Sequence, residues 1–441
     1  MTENYQRQFE TLEKNLNGML KSPLHDLRRA AMAKFREIGF PTTKNEEWRF
    51  TSVAPLTKVQ FQPASDARGG LTAKEIDQHT IKDLEAALIV FINGVYAPEF
   101  SPASGLPQGV KAGSLAEFMR SEPELLSQHL ARHASYDDNA FTALSTAFMR
   151  DGAFVYVPDG VEVKTPLFLL FLSTADDTPF VTHPRNLIIT GTGSRVAIIE
   201  NYIGRGHNVY FTNSVTEVVA GARSVIEHDK IQHESDNAFH VSTLQIVQGE
   251  ESTYTSNAIT YGGSLVRNNV TAVLAGERCE CRLNGLSLGT GNQHIDNHTT
   301  IDHAMPNCAS HELYKSILEG RSRGVFNGKI FVRKDAQKTD AKQTNKTLLL
   351  SDDAMIDTKP QLEIFADDVK CTHGATVGQL DEDQIFYLRS RGLALDDARD
   401  LLTNAFASDV INRINVGPVR ELLNAMLHVR LCKGRLILSQ A

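Results

Sequence analysis

The chain has no G-x-x-x-x-G-K-[ST] stretch, the loop that cradles nucleotide phosphates, so no nucleotide site of its own is expected. GTGSRV, from Gly191 to Val196, begins like a dinucleotide loop but lacks the third glycine and runs into strand-like residues instead of a helix. There is no C-x-x-C for a zinc ribbon or redox pair. Cysteine is scarce, odd in number and scattered (Cys279, Cys281, Cys308, Cys371, Cys432), which excludes a disulfide framework and indicates a reducing compartment. The longest strongly apolar run, Pro166 to Leu172, is far too short to span a bilayer. MTENYQRQFE has neither the basic nor the apolar region of a secretory signal. A net charge of −8 argues against nucleic-acid and anionic-membrane partners. These absences together predict a soluble, cytoplasmic protein.

What is present is ordinary folded material, 41% hydrophobic and 22% charged, in a chain of 441 residues that is too long for one compact core unless an elongated repeat carries much of it. Phe9, Leu12, Leu16, Met19 and Leu20 recur at helical spacing, interrupted at Pro23, and a second helix from Leu24 to Ile38 is expected to stop at Gly39. Trp48, the single tryptophan, reads as an aromatic anchor packing this helical region onto the rest. Residues 62–80 read as a polar loop. Ala87 to Phe100 reads as a hairpin turning at Asn93-Gly94, with more helix between Leu115 and Arg150.

At Asp151 the texture changes to short apolar or alternating runs separated by Gly, Asn, Asp and Thr. Aligning GSRVAI at 193, GARSVI at 221, GEESTY at 249, GERCEC at 276 and NCASHE at 307 gives spacings of 28, 28, 27 and 31. A steady length with weak identity suits a coiling solenoid whose turns stack on one another. The expected fold is therefore mainly β. A right-handed parallel β-helix over 151–378 is flanked by an N-terminal helical region with a small hairpin (1–150) and a C-terminal helical domain (379–441). After residue 380 the period becomes helical: Glu382 to Ser390, then a helix capped by Asp396 or Asp397, with Ala398, Leu401, Leu402, Ala405 and Phe406 on one stripe, then a third beginning at Pro418. This tail must pack on the solenoid or in a partner's groove.

Three constellations could carry chemistry. Cys371-x-His373 sits between a strand-like run and a glycine turn; residues two apart on a strand share a face, so a thiolate and an imidazole there could hold a soft metal or one iron of a cluster. Two ligands do not close a site, and a buried Cys beside a hydrogen-bonded His is the plain alternative. His294-x-Asp296-x-His298-x-Thr300-x-Asp302 alternates strictly and is either a metal site or a hydrogen-bonded polar ladder on the outer face. Cys279-x-Cys281 reads as core packing, and Cys308 has no recognisable companion. The basic stretch of Arg321, Arg323, Lys329, Arg333, Lys334, Lys338, Lys342 and Lys346 reads as a solvated face, with an acidic partner surface as its functional alternative.

KCTHGATVGQLDEDQIFYLRSRGL, from Lys370 to Leu393, resembles the C-terminal signature of the SufB/SufD family of iron–sulfur cluster assembly scaffolds, on its SufD side. NEEWRFT (Asn45 to Thr51), the run from His298 to Val332 and that from Gln337 to Ile364 resemble the same family. The resemblance implies a non-catalytic scaffold that pairs with a SufB-like paralogue, forms a homodimer when alone, and docks a SufC-like ABC ATPase through its C-terminal helices. Leu401, Leu402, Ala405 and Phe406 are the expected docking residues. It further implies a transient iron–sulfur cluster shared with SufB, to which His373, and secondarily Cys371, would contribute. Thr372 departs from the serine often found between them. The SufB paralogue itself, and a β-helix enzyme acting on polysaccharide through Asp296 and Asp302, are the rival readings.

Overall fold

From Arg185 to Gly378 strand follows strand with no helix between. The computed structural model describes residues 2–15, 23–64, 71–174 and 178–436; Leu16, Met19 and Leu20 of the expected first helix lie outside these. Each strand pairs in parallel with the strand two further along, so alternate strands belong to two sheets, one of eleven strands and one of ten. One coil thus gives one strand to each sheet, and the coils stack as a β-solenoid.

The coil length follows from the register. Arg195 lies opposite Val225, Val225 opposite Thr253, Thr253 opposite Glu280, Glu280 opposite Ala309, and Ala309 opposite Asp340, intervals of 30, 28, 27, 29 and 31. The period read from the sequence has the right length but slips by two residues at each end. Gly221 donates its N–H to Thr190 O at 2.8 Å, so it is Gly191 of GTG, not Gly193, that stacks beneath it. At the other end Asn307 stacks with Arg278, both in the left-handed region (φ 61° and 56°), and not with Gly276.

Both outer faces are covered by the chain itself. Helices Thr2–Asn15, Pro23–Ile38 and Ala140–Phe148 bury Tyr5, Phe9, Phe35 and Phe141 against Phe211, Phe239, Val241 and Leu265 of the larger sheet. Gly39 ends the second helix in the left-handed region (φ 61°), donating to Phe35 O at 2.8 Å. Helices Leu395–Ile411 and Gly417–Leu436 lay Ala407, Val410, Ile411, Val419, Leu423 and Leu427 on Ile259, Leu286, Leu313 and Ile317 of the smaller sheet. Among the described residues no helix is long and apolar enough to cross a membrane.

The hairpin forms where expected, Ala87–Ile92 against Val95–Tyr96, with Asn93 and Gly94 both at positive φ (51° and 78°). Its first strand also pairs in parallel with Leu167–Ser173, which makes it the opening strand of the smaller sheet. Of the loop expected over 62–80, residues 65–70 lie outside the described residues, and the two flanking parts are ordered. Gln62–Pro63 pairs with Phe180–Thr182, and Ala73–Asp77 is a helix whose cap, Thr72, exchanges hydrogen bonds with Glu75, a Thr-x-x-Glu signal that the sequence reading passed over. The cap of helix Leu395–Ile411 is Ala394; Asp396 and Asp397 fall inside its first turn.

Candidate functional site

Met355–Ile364 and Lys370–Gly378 are the last strands of the two sheets, each paired on one side only. With no further coil above it, Lys370–Gly378 is exposed along almost its whole length. Val377 on it and Phe365 (59% exposed), just after the other terminal strand, stand uncovered. Cys371 lies opposite Ala341, and His373 opposite Gln343. Ala341 and Gln343 are buried, so the pair continues two inward-facing columns onto the open end. Cys371 is half-buried against Ala341 and Ala366, while His373 is exposed. Burial pushes the Cys371 thiol up, and Asp340 adds to the effect. The structure therefore puts one thiol and one imidazole on one side of a terminal strand. Thiolate and imidazole are donor types that suit cluster iron, and two of them do not close a site.

The columns below the pair were missed in the sequence. Gln343 donates its amide to Glu312 Oε2 at 2.7 Å, one coil further in, and burial raises the Glu312 carboxyl to about 7. Gln343 has room to lie there because position 328 is glycine: a Cβ on Gly328 would come within 2.3 Å of Gln343 Nε2. Counting back one coil at a time from His373 leads to Gln343 and then Glu312, so the period was the signal that could have found them.

The expected docking stripe splits in two. Ala398 is buried with Thr403, Ala407 and Val410 on the side facing the solenoid. Leu401 is 49% exposed and Ala405 is exposed; Leu402 and Phe406 are partly buried. Phe406 belongs to the internal packing. Lys315 Nζ lies 4.4 Å from its ring centroid and donates to Phe406 O at 2.9 Å, and the same ammonium sits 2.8 Å from Asp409. Lys315 is itself buried, so it latches the helix to the sheet. Phe386 (74% exposed) and Tyr387, on helix Glu382–Ser390, are also uncovered.

The alternating run from His294 to Asp302 is a hydrogen-bonded ladder, but it is not a free outer face. Asp296 is buried under the segment Glu46–Trp48 and the threonine that follows it. Arg267 Nη1 donates to Asp296 Oδ2 at 2.6 Å and to Glu47 O at 2.9 Å, and its guanidinium lies 4.3 Å over the Trp48 ring. Thr51 donates to Asp296, and His298 stands 3.1 Å from the same carboxylate. Burial alone would raise the Asp296 carboxyl; Arg267, then His298 and Thr51, hold it well below the usual carboxylate range. Asp302 is held by both arms of Arg333, at 2.9 and 2.6 Å. The carboxylates of the polysaccharide reading are thus bound to partners of their own. Trp48 is the anchor the sequence suggested, and this ladder is what it anchors to.

Cys279, Cys281 and Cys308 are buried free thiols of the solenoid core. Much of the basic stretch is paired: Arg323 with Asp357, Lys329 with Glu363, Arg333 with Asp302 and Lys342 with Asp340. Exposed pairs of this kind are a solvated face and add little stability.

Comparison with known proteins agrees along most of the chain. The family described as "SUF system FeS cluster assembly, SufBD core domain" matches residues 171–406, and "SufBD protein N-terminal region" matches 1–169. An iron–sulfur cluster assembly SufBD family protein of Synechocystis is 34% identical, covering 94% of this chain and 93% of its own. Iron–sulfur cluster assembly protein SufD of Escherichia coli is 30% identical over 90% of each chain. SufB of Bacillus subtilis is 27% identical over 68% of this chain and 64% of its own. Solenoid, signature segments and matches coincide, and the chain belongs to the SufBD family of iron–sulfur cluster assembly proteins.

Proposed function

We propose that this chain is a SufD-type, non-catalytic scaffold subunit that pairs through the open end of its solenoid with a SufB-like paralogue and presents its C-terminal helices to a SufC-like ABC ATPase. The cluster is cargo: it is assembled at the shared end and handed on, with His373, and secondarily Cys371, as this chain's ligands. The observation that carries the reading is the uncovered terminal coil. Unpaired strand edges invite pairing with another chain, and here the edge bears two donors suited to iron. A SufD assignment is favoured over SufB by likeness to the E. coli SufD along most of both chains, against two thirds with the B. subtilis SufB. The same edge would let the isolated chain form a homodimer. Free thiols at Cys279, Cys281, Cys308 and Cys371 accord with a reducing compartment such as the cytosol; an Arabidopsis relative, 31% identical, is named chloroplastic.

The test is His373→Ala, co-expressed with a SufB-like subunit and the ATPase. We expect the complex to assemble at wild-type yield and its iron and acid-labile sulfide to fall at least tenfold. Cys371→Ser should be milder, since its side chain also packs against Ala341 and Ala366. Wild-type cluster content in an intact His373→Ala complex would falsify the ligand role.

A further inference from the structure

Cys279 and Cys308 occupy the same rung of two consecutive coils. Glu280 is paired with Ala309, so the residues just before them stack, and both follow an exposed turn residue in the left-handed region, Arg278 (φ 56°) and Asn307 (φ 61°). Their sulfurs converge on one acceptor: Cys279 Sγ lies 3.2 Å and Cys308 Sγ 3.3 Å from Gly276 O. Each thiol acts on the other: the neighbouring Cys308 is the main reason the Cys279 thiol is drawn down to about 7, and Cys279 the main reason that of Cys308 is pushed up. Adjacent strands stand about 4.8 Å apart, inside the Cα separation of roughly 4.4–6.8 Å that a disulfide spans.

Packing at this rung does not call for sulfur. Ser194 Oγ donates to Gly191 O at 2.8 Å, Ser252 Oγ to Gly249 O at 2.7 Å, and Thr339 Oγ1 to Ala336 O at 2.9 Å. A hydroxyl does there what a thiol does less well. Two neighbouring coils nonetheless carry cysteine, and the strands that begin just after them, Glu280–Gly289 and Ala309–Leu318, seat helix Leu395–Ile411 through Leu286, Leu313 and the Lys315 latch.

We propose that Cys279 and Cys308 are an oxidation site, closing under hydroperoxide to a disulfide that ties together the two coils bearing the C-terminal helices. The Cys279 thiolate attacks one peroxide oxygen and the O–O bond breaks, leaving a sulfenic acid and a hydroxide that takes up a proton as water. The Cys308 sulfur then attacks the sulfenic sulfur and forms the S–S bond. The hydroxide expelled takes the Cys308 thiol proton as a second water. Two thiols are oxidised by two electrons, and one hydroperoxide is reduced. Both residues are only 1% exposed, but each lies directly behind an exposed turn residue, and a peroxide is small enough to enter as that turn opens.

The experiment uses the full-length wild-type protein, reduced and then treated with hydrogen peroxide. It is alkylated in denaturant so that no thiol can exchange, and digested without reductant. The expected result is a cross-linked peptide joining the Cys279 and Cys308 segments, with loss of two hydrogen atoms in intact mass and recovery of both thiols on reduction. Cys308→Ala should abolish the cross-link and stop oxidation of Cys279 at the sulfenic acid, which a dimedone adduct would register. The proposal is overturned if both cysteines remain fully alkylated at peroxide doses that oxidise the half-buried Cys371, or if they pass to irreversible sulfinic acids without the cross-link. Either outcome leaves the scaffold reading of the open end untouched, because that reading does not involve these residues.

Discussion

The middle coils of the solenoid and its last coil follow the same alternation of side chains and meet opposite fates. In the middle, strand Val225–His233 is closed by coils on both sides, and its lumen side carries charge. Lys230 Nζ donates to Ser242 at 2.7 Å and Asn268 at 3.1 Å and lies 3.0 Å from His240, which reaches Glu234 at 2.6 Å. Tyr202 donates to Glu200 at 2.9 Å, and His228 stands 3.2 Å from the same carboxylate. Such groups persist without water only because each is met by another. At the end, Cys371 and His373 hold the same inward columns, but no coil follows, so His373 is exposed and Cys371 only half covered. Polar residues in one place are held by the chain's own neighbours; in the other no further coil covers them.

The comparison is broken most severely by opening a covered site. Arg267→Ala removes the partner of buried Asp296 and the surface on which Trp48 rests. We expect a loss of roughly 3–5 kcal/mol in denaturant unfolding, the usual result of stranding a buried charge. The stabilisation that depends on Asp296 is present above the ordinary carboxylate pKa and is lost as pH falls through its depressed folded value. Lowering the pH should therefore shrink the difference between variant and wild type. A cost under about 1 kcal/mol would mean that the seating of Glu46–Trp48 does not depend on this pair.

Glu312 sharpens the comparison from beneath the open end. Folded, its carboxyl keeps its proton to about 7; unfolded, it loses it near 4.5. Unfolding therefore releases a proton between these values, and stability falls as pH rises through that window, by roughly 3 kcal/mol in the limit, then levels off. Glu312→Gln should flatten this slope in urea titrations between pH 4.5 and 7.5. An unchanged slope would place the titrating group elsewhere.

The same two regions explain what the sequence disclosed. Turn glycines recur at Gly191, Gly221, Gly249 and Gly276, so the solenoid was legible to within the ambiguity between Gly191 and Gly193 at one end and the slip at Asn307, past the last of these glycines, at the other. Cys371 and His373 were legible because a strand fixes which residues share a side. The polar lumen was not. Glu200 and Lys230 alternate with Ile199 and Ile231, which suggests apolar inside and charged outside, yet here the isoleucines face outward beneath the C-terminal helices. Alternation gives two faces, and when both are covered it cannot say which is the lumen. The cover on Asp296 was hidden for a related reason. Its partner Thr51 lies 245 residues away in sequence, and no local pattern joins them.

The smallest effect on stability should come from the uncovered side of helix Leu395–Ile411, where the contrast can be drawn within one stripe. Phe406 packs on the solenoid and carries the Lys315 ammonium over its ring, so Phe406→Asp exchanges an internal contact for a carboxylate beside Asp409. Loss of ATPase binding by that variant would not separate a dock from a loosened helix. Leu401, five residues earlier on the same helix, is half exposed and lies outside the internal cluster. Leu401→Asp should leave unfolding within about 0.5 kcal/mol of wild type, as surface substitutions do. At a protein interface, an apolar residue near the centre typically costs upward of about 1 kcal/mol when lost, and a buried unpaired carboxylate costs more. Titration calorimetry with a purified ABC ATPase subunit should therefore show affinity reduced at least tenfold for Leu401→Asp, with the melting temperature unchanged. Undiminished affinity in a folded variant would move the ATPase contact off this helix face and leave Phe386 and Tyr387, exposed one helix earlier, as the surface to test.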